Sequence, residues 1–340
     1  MRSESKDFAY HVTKFLTVYL PGYRNVAQGT ITTYKDTFRL WLQFSNDILS
    51  ITPSRLTLDD MSRKNIERFI LWLKETRQNS PTTCNQRLAA LNSFFHYLQF
   101  EQPDRLFQCK QCMDIPYMKA QEPSLKYLSI EAIKVLLEQP NTSTKYGRRD
   151  LAILSVMYDT GARASEISGI NVSDLRLISP ATLTLHGKGG KVRIVPVLTG
   201  TSEILSQYLD DFKLRNQPDL PLFSNHQHRR ISRFGIAHVL RTYATKARAC
   251  RPDLIPDNVS PHVIRHSKAM HLLQANVNLI YIRDLLGHSD VKTTEIYARA
   301  DNTLKREALE KANPIKHLSL DTPDWSNDES LMEWLRNLGK

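Results

Sequence analysis

Hydrophobic residues recur at three- and four-residue steps along the first hundred residues, which is the spacing of one helix face. Four such stripes run from Phe8 to Tyr19, from Ile31 to Phe44, from Ile66 to Leu73 and from Cys84 to Leu98. Ser80 and Pro81 mark the start of the fourth helix, because serine caps helices and proline suits their first position. Since the aromatic members of each stripe lie on one side, we interpret them as core. The pattern predicts a four-helix N-terminal domain, residues 1–105.

The pattern changes over residues 106–126, which contain Pro116 and Pro123 and little periodicity, so we interpret this segment as a linker. Alternation over 182–186 and 192–197 then predicts an antiparallel hairpin with its turn at 187–191. Helices of the second domain, residues 127–312, are predicted near 149–158, 201–215, 233–248, 261–274, 278–286 and 291–299. The predicted fold is mostly α, with two domains and one small β-hairpin.

A last helix is predicted in the C-terminal tail, residues 313–340. It begins at Ser326, where Glu329 completes a capping box. Its apolar stripe consists of Leu331, Trp334, Leu335 and Leu338. A stripe this far from the main body needs a surface to dock on, either in a neighbouring protomer or in its own domain.

Charge narrows the class of partner. The 340 residues carry a formal net charge of +11, and the basic residues are spread along the chain. This favours an anionic partner, either nucleic acid or an acidic membrane surface. The chain has no run of about 18 apolar residues and does not start with a secretory signal. We therefore expect a cytoplasmic protein without a membrane-spanning helix.

Metal ligands are sparse in the sequence. Four cysteines (Cys84, Cys109, Cys112 and Cys250) are too few for a disulfide framework in a chain of this length. Cys109 and Cys112 form a lone CxxC without a second ligand pair. His262 and His266 are four residues apart and could bind zinc on a helix, but no H-E-x-x-H glutamate or obvious third ligand accompanies them. We predict no metal and no cofactor.

Five short segments carry residues suited to phosphate chemistry. They are TGARASEI at 160–167, HGKGGK at 186–191, HVIRH at 262–266, LLGH at 285–288 and IY at 296–297. Taken singly, each has an ordinary interpretation: Arg163 and Glu166 could be a surface ion pair, Lys188 a solvated hairpin tip, and Tyr297 a core residue.

Together, and in this order, the segments resemble the boxes of the tyrosine recombinases, the phage integrase and Xer family. Ile264 stands where leucine is more usual. The N-terminal domain resembles the family's core-binding, SAM-like domain. The resemblance implies two domains that close as a C-shaped clamp on double-stranded DNA.

The chemistry of a phosphodiester explains the residue types. Attack builds negative charge on phosphorus, and the guanidinium groups of Arg163 and Arg265 can bind two phosphate oxygens and stabilise that charge. Tyr297 is the expected nucleophile, which would form a 3′-phosphotyrosyl ester. The resemblance assigns the remaining roles: Lys188 as the acid for the 5′-oxygen, His262 on the tyrosine proton, His288 on the phosphate and Glu166 as a support for its box. We expect His266 to have a packing role.

Polar and basic groups at two helix starts, in the hairpin turn and near residue 230 are candidates for contacts with DNA. They are Thr32, Thr33, Lys35, Thr82, Thr83, Asn85, Arg87, Lys191, Arg229 and Arg230. Helix capping and a solvated face explain the two helix starts equally well.

The sequence thus predicts a site-specific recombinase of the integrase or transposition type, with four protomers acting on two DNA segments. Two alternatives use the same fold. A type IB topoisomerase or a telomere resolvase would act without exchange between sites, and an architectural protein would bind DNA without cleaving it. Retention of all six predicted catalytic residues argues against the architectural protein.

Overall fold

The computed structural model describes residues 7–120, 125–288, 294–297 and 329–338. The chain forms two compact units, Met1–Pro123 and Ser124–Lys340. Helices predominate in both, as predicted. Among the described residues, none of the helices combines the length and the hydrophobicity that a membrane span requires.

The first unit is helical throughout. α1 (Asp7–Lys14) continues as a π-helix (Phe15–Tyr23) and is followed by α2 (Gln28–Asp47), α3 (Arg63–Glu75), α4 (Pro81–Glu101) and α5 (Leu106–Met113). Ser62 and Ser80 cap α3 and α4 through their hydroxyl oxygens. Phe15, Trp41 and Phe69 are fully buried, so the aromatic stripes form the core as predicted.

The predicted linker is wrong at its start, because residues 106–113 form α5 and pack on this first unit. Cys109 and Cys112 are fully buried there, and the Cys112 thiol lies 3.3 Å from the carbonyl oxygen of Met61. Gln108 donates to the carbonyl of Leu58 at 2.8 Å. The sequence does not predict this helix, because its buried positions are cysteines, a residue type that suits metal ligands as well as a core.

The second unit contains most of the predicted elements. Its helices are α6 (Ile130–Leu137), α7 (Lys145–Thr160), α8 (Ala164–Gly169), α9 (Thr199–Asp211), α10 (Arg233–Cys250), α11 (Pro261–Gln274) and α12 (Leu279–Leu286). Residues 294–297 form a helical turn inside the predicted helix 291–299, whose other residues lie outside the described part. The core of this unit includes Ile153, Leu185 and Ile264.

The hairpin is present as predicted and has a third, short strand. β1 (Leu175–Arg176), β2 (Thr182–His186) and β3 (Val192–Pro196) form an antiparallel sheet in that order. Leu185 pairs with Arg193, and Thr184 pairs with Ile194. This register fixes which side chains of β3 face the interior.

The C-terminal helix extends over Glu329–Arg336, within the predicted range. Ser326, the predicted cap, lies outside the described residues, as does residue 312, the predicted end of the second domain. Trp334 on the apolar stripe is 62% exposed.

Candidate active site

The first arginine of the site lies in the turn between α7 and α8. α7 ends at Gly161, whose φ of +58° is left-handed and therefore suits glycine. Arg163 immediately precedes α8, and its backbone N–H donates to Glu166 Oε2 at 2.8 Å. A carboxylate at this position of a helix commonly reaches back to the preceding backbone. The turn thus presents the Arg163 side chain, which is 34% exposed, at the start of a helix.

The Glu166 carboxylate is buried and accepts four hydrogen bonds. Besides the backbone bond, Arg163 Nη1 donates to Oε1 at 2.8 Å. Arg193 on β3 donates from Nη1 to Oε1 at 3.0 Å and from Nη2 to Oε2 at 2.8 Å. Burial raises the pKa of Glu166, but the bonds from Arg193 and Arg163 outweigh it and bring the pKa to about 2. Glu166 is therefore ionised at neutral pH and bonded to Arg163, the residue it was predicted to support.

The second arginine, Arg265 on α11, is buried between two backbone segments. Its Nη1 donates to the carbonyl oxygen of Gly161 at 2.8 Å, and its Nη2 donates to that of Leu286 at 2.6 Å. Burial, together with the nearby charge of Arg163, lowers the pKa of Arg265 to about 10, so it remains charged at pH 7. Because Gly161 is two residues from Arg163, these contacts bring the two predicted arginines into one site.

Tyr297 is buried in the same region, with 1% of its surface exposed. Its hydroxyl lies 3.0 Å from Nδ1 of His266. Burial raises the pKa of Tyr297, although Arg265 and Arg163 act in the opposite direction. The phenol is therefore protonated at neutral pH, and we assign its O–H as the donor to His266.

His266 is the histidine that contacts the predicted nucleophile, and this corrects the expectation that it only packs. His262, one helical turn earlier, is exposed, and its ring centroid lies 6.4 Å from that of His266. Burial, with the charges of Arg265 and Arg163, nevertheless lowers the pKa of His262. His262 thus lies near the arginines, while His266 is bonded to Tyr297.

His288 also lies beside Tyr297. The two rings are nearly parallel, at 14°, with centroids 6.4 Å apart. His288 Nδ1 is 3.0 Å from the hydroxyl of buried Thr294. Burial and the neighbouring arginines lower the pKa of His288 to about 4, so the ring is neutral at pH 7. This predicted residue also belongs to the cluster.

Lys188 lies in the turn between β2 and β3, where residues 188–190 form a short 3₁₀ segment. The turn is closed by a hydrogen bond from the Gly187 N–H to the Lys191 carbonyl at 2.7 Å. The side chain of Lys188 lies outside the described part of the structure. Its predicted role therefore stays a prediction.

Comparison with known proteins decides the family. The sequence profile of the Phage integrase family matches residues 126–303, which contain all six predicted catalytic residues. The profile of the phage integrase N-terminal SAM-like domain matches residues 13–102. The chain belongs to the phage integrase family of tyrosine recombinases.

Relatives within this family match along nearly the whole chain. A protein of Sinorhizobium fredii named as an integrase/recombinase, y4rC, is 34% identical over 315 residues, which are 93% of each chain. Tyrosine recombinase XerC of Herpetosiphon aurantiacus is 34% identical over 84% of this chain and 89% of its own. Each match is longer than either of the two units, so both units take part in it.

Solved structures of similar fold include recombinases in complex with DNA. The Tn1549 transposon integrase, bound to transposon right end DNA, has a TM-score of 0.67 and 17% identity over 89% of this chain and 98% of its own. XerH bound to a palindromic difH substrate has a TM-score of 0.66 and 20% identity, over 92% of this chain and 86% of its own. These likenesses establish the fold.

The residues predicted to contact DNA differ in their exposure and in their bonds to the protein. Thr32, Lys35, Thr82, Lys191 and Arg229 are exposed. Thr33 and Thr83 are half-buried, and the hydroxyl of Thr33 donates to the Gly29 carbonyl.

Asn85, Arg87 and Arg230 have partners within the protein. Asn85 exchanges two hydrogen bonds of 2.8 Å with the backbone of Met118. Arg87 donates to the Thr33 carbonyl at 2.9 Å, and Arg230 donates to the Ser168 carbonyl at 2.9 Å. These three side chains help to hold protein segments in place, and Arg230 is also exposed, so their contact to DNA stays a prediction.

Arg193 and the basic character of α10 were not predicted from the sequence. Arg193 stands among apolar residues of a strand and belongs to none of the five segments suited to phosphate chemistry. α10 contains four basic residues and no acidic one, and Arg233 and Arg241 on it are exposed. The Ser168 hydroxyl donates to the Ile231 carbonyl at 2.6 Å, so the segment that leads into α10 contacts α8. The charge pattern of α10 was visible in the sequence.

A metal role for the histidines finds no support among residues 7–120, 125–288, 294–297 and 329–338. No group of three or more His, Cys, Asp or Glu side chains there could hold a metal ion.

Proposed function

We propose that the protein is a site-specific DNA recombinase in which Tyr297 attacks a phosphodiester held by Arg163 and Arg265. Membership of the tyrosine recombinases supports the reaction. The observation that carries the assignment of residues is the shared anchoring of both arginines on the segment 161–166, close enough to Tyr297 to act on its pKa.

Both arginines keep donors for a phosphate. Arg163 gives one side-chain bond to Glu166, and in the described part of the chain its Nη2 and Nε have no hydrogen-bond partner. Each terminal nitrogen of Arg265 donates to one carbonyl and carries a second N–H. The pair can therefore contact the non-bridging oxygens and stabilise the charge that develops during attack.

The reaction is a transesterification. The Tyr297 oxygen bonds to phosphorus while the bond from phosphorus to the 5′-oxygen breaks, and Lys188 supplies the proton of the 5′-hydroxyl. The phenolic proton passes to a neutral histidine. His266 is in hydrogen-bond contact with it in this structure, and His262 is the second candidate. Rejoining is the reverse reaction with a new 5′-hydroxyl and needs no added energy source.

Double-stranded DNA is the proposed partner, and a cytoplasmic location is proposed with it. The proposed contacts are the ten residues predicted from the sequence, of which Thr32, Lys35, Thr82, Lys191, Arg229 and Arg230 are exposed, together with the exposed Arg233 and Arg241 of α10. Such contacts make binding fall steeply as salt rises. Closure of the two domains as a clamp on DNA stays a prediction.

Tyr297→Phe tests the proposed function. The variant lacks only the hydroxyl, so it should bind site DNA as the wild type does but form no covalent complex with a nicked suicide substrate. The measurement is denaturing electrophoresis of labelled DNA carrying the ends of the host element. Covalent adducts that persist in the variant would contradict the assignment of Tyr297 as the nucleophile.

Strand exchange between two sites requires four active sites, so we propose four protomers on two DNA segments through a four-way junction. The C-terminal helix is the proposed contact to a neighbour, since Trp334 is 62% exposed and Leu338 is exposed beside it. Docking on its own unit is the alternative.

Trp334→Ala should reduce the fraction of four-protomer complexes on site DNA severalfold, because it removes the largest apolar group of the helix. Sedimentation of protein–DNA complexes measures this fraction. Glu333→Ala on the same helix is the matched control and should leave it unchanged. Equal assembly by Trp334→Ala and wild type would exclude docking on a neighbour.

An integrase or transposition enzyme of a mobile element is the finer proposal, supported by the relative named integrase/recombinase. A type IB topoisomerase or a telomere resolvase remains the second candidate because it uses similar residues. An assay with two separately labelled sites distinguishes the candidates. A recombinase joins strands from both sites, whereas a topoisomerase or a telomere resolvase acts on one duplex.

A further inference from the structure

Arg193 is a charged residue on the inner side of a strand. β3 alternates so that Val192 and Ile194 are exposed, whereas Val195 is buried. Arg193 faces the same side as Val195, and its side chain is only 14% exposed. An arginine here must find partners for its donors, because unpaired buried charge is costly.

Its partners come from two different segments of the site. The two terminal nitrogens bind both oxygens of Glu166, and Nε donates to the Leu285 carbonyl at 2.9 Å. Glu166 in turn binds Arg163, and Leu285 lies three residues before His288. One side chain thus joins the Arg163 turn, the hairpin that carries Lys188, and the segment that ends at His288.

Gly287 provides the space for this side chain. Its φ is +66°, and a Cβ built there would lie 2.8 Å from Arg193 Nη1 and 3.1 Å from Cδ and Cζ. Any larger residue would therefore displace the guanidinium or strain the backbone. The glycine before His288 and the arginine on β3 form one packing unit.

Arg193 also limits how Glu166 can bind Arg163. A carboxylate has about four acceptor positions, and Arg193 occupies two of those on Glu166. Arg163 is left with one side-chain bond to Glu166. Without Arg193, Glu166 would be free to form a two-bond fork with Arg163, which would take phosphate donors out of use.

We propose that Arg193 is a positioning residue of the recombinase: it holds Glu166 so that Arg163 keeps donors for the phosphate, and it fixes the segment of His288. This rests on the proposed function above. Arg193 does not contact the DNA in this role.

The test compares Arg193→Gln, Arg193→Lys and Gly287→Ala with the wild type in single-turnover cleavage of a nicked suicide substrate. At saturating DNA, Arg193→Gln should cleave about 30-fold more slowly, with binding changed less than threefold. Arg193→Lys should recover part of the rate because it restores charge without the fork. Gly287→Ala should slow cleavage although Arg193 is retained.

The pH dependence of the cleavage rate distinguishes a positioning role of Arg193 from a role in stability alone. Because Arg193 is the main partner that lowers the pKa of Glu166, Arg193→Gln should move the acid side of the cleavage profile to higher pH. Arg215→Gln, which removes an exposed arginine paired with Asp210, is the matched control and should change neither rate nor profile.

The outcomes are decisive in each case. A cleavage rate of Arg193→Gln within twofold of wild type would overturn the proposal. A variant with a lower melting temperature and weaker DNA binding, but with an unchanged cleavage rate at saturating DNA, would overturn it too. If Arg193→Gln does not fold, Arg193→Lys and Gly287→Ala provide the same comparison. If the wild type cleaves and the variants cleave at the same rate, only this inference is rejected. If the wild type forms no covalent complex, the proposed function is rejected and this inference with it.

Discussion

The arginine side and the tyrosine side of the candidate site differ in how their groups are held. On the arginine side, Glu166 accepts four hydrogen bonds, and Arg265 is anchored on two carbonyls. On the tyrosine side, the Tyr297 hydroxyl has one hydrogen bond among the described residues, to His266, and the residue is buried. In the proposed reaction, the phosphate-binding groups are thus already arranged, whereas Tyr297 must become exposed before it can attack.

The largest effect should come from breaking the arginine side. Arg265→Ala should reduce single-turnover cleavage by about 10²–10³-fold, because it removes charge stabilisation from the transition state. Binding to site DNA should change far less, since many phosphate contacts remain. Nicked suicide substrates measure the rate.

Arg265→Lys keeps the charge but cannot donate to both Gly161 and Leu286, so it should also be slow. Melting curves are the control, because Arg265→Ala leaves two buried carbonyls without their donors. A folded Arg265→Ala variant that cleaves within threefold of the wild-type rate would contradict the proposed role of Arg265 in binding the phosphate.

A smaller effect is expected on stability: the tyrosine side and the arginine side should lose stability in different pH ranges. Burial lowers the pKa of His262, His266 and His288, with His288 at about 4, while an unfolded histidine titrates near 6.5. The unfolded chain therefore binds more protons between these values, and stability falls as the pH falls from about 6.5 toward 4. Glu166, with a pKa of about 2, contributes stability that is present above about 4.3 and is lost only at lower pH.

The melting temperature of the wild type should thus be lower at pH 5 than at pH 7 by roughly 3 °C or more. His288→Gln should show a smaller decrease, because one of the groups that protonates is gone. Circular dichroism measures both. Identical melting temperatures at pH 5 and pH 7 would show that the tyrosine side does not titrate as described.

Much of the fold was predictable from local patterns. Serine caps and a proline at the first position mark α4 and α11, and strict alternation marks β2 and β3. α5 was missed because cysteine is an ambiguous residue type in a pattern. The short helix α8 was not predicted either, since six residues are too few for a periodic stripe.

The site was predictable as a set of residues but not as a geometry. All six predicted catalytic residues lie in segments that the family profile matches. The partner of Tyr297 was not predictable, because His262 and His266 lie on neighbouring turns of α11 and only the packing of residues 294–297 decides between them. Arg193 could have been noticed as a charge on the buried side of an alternating strand.

The burial of Tyr297 has a consequence for the protection of the genome. A protein with a net charge of +11 adheres to DNA of any sequence through the phosphate backbone, and non-specific sites vastly outnumber targets. With an exposed nucleophile, each such encounter would carry a risk of a nick. In the proposed function, a Tyr297 phenol that stays protonated and buried separates the search for a target from cleavage, so that the enzyme can move along DNA without breaking it.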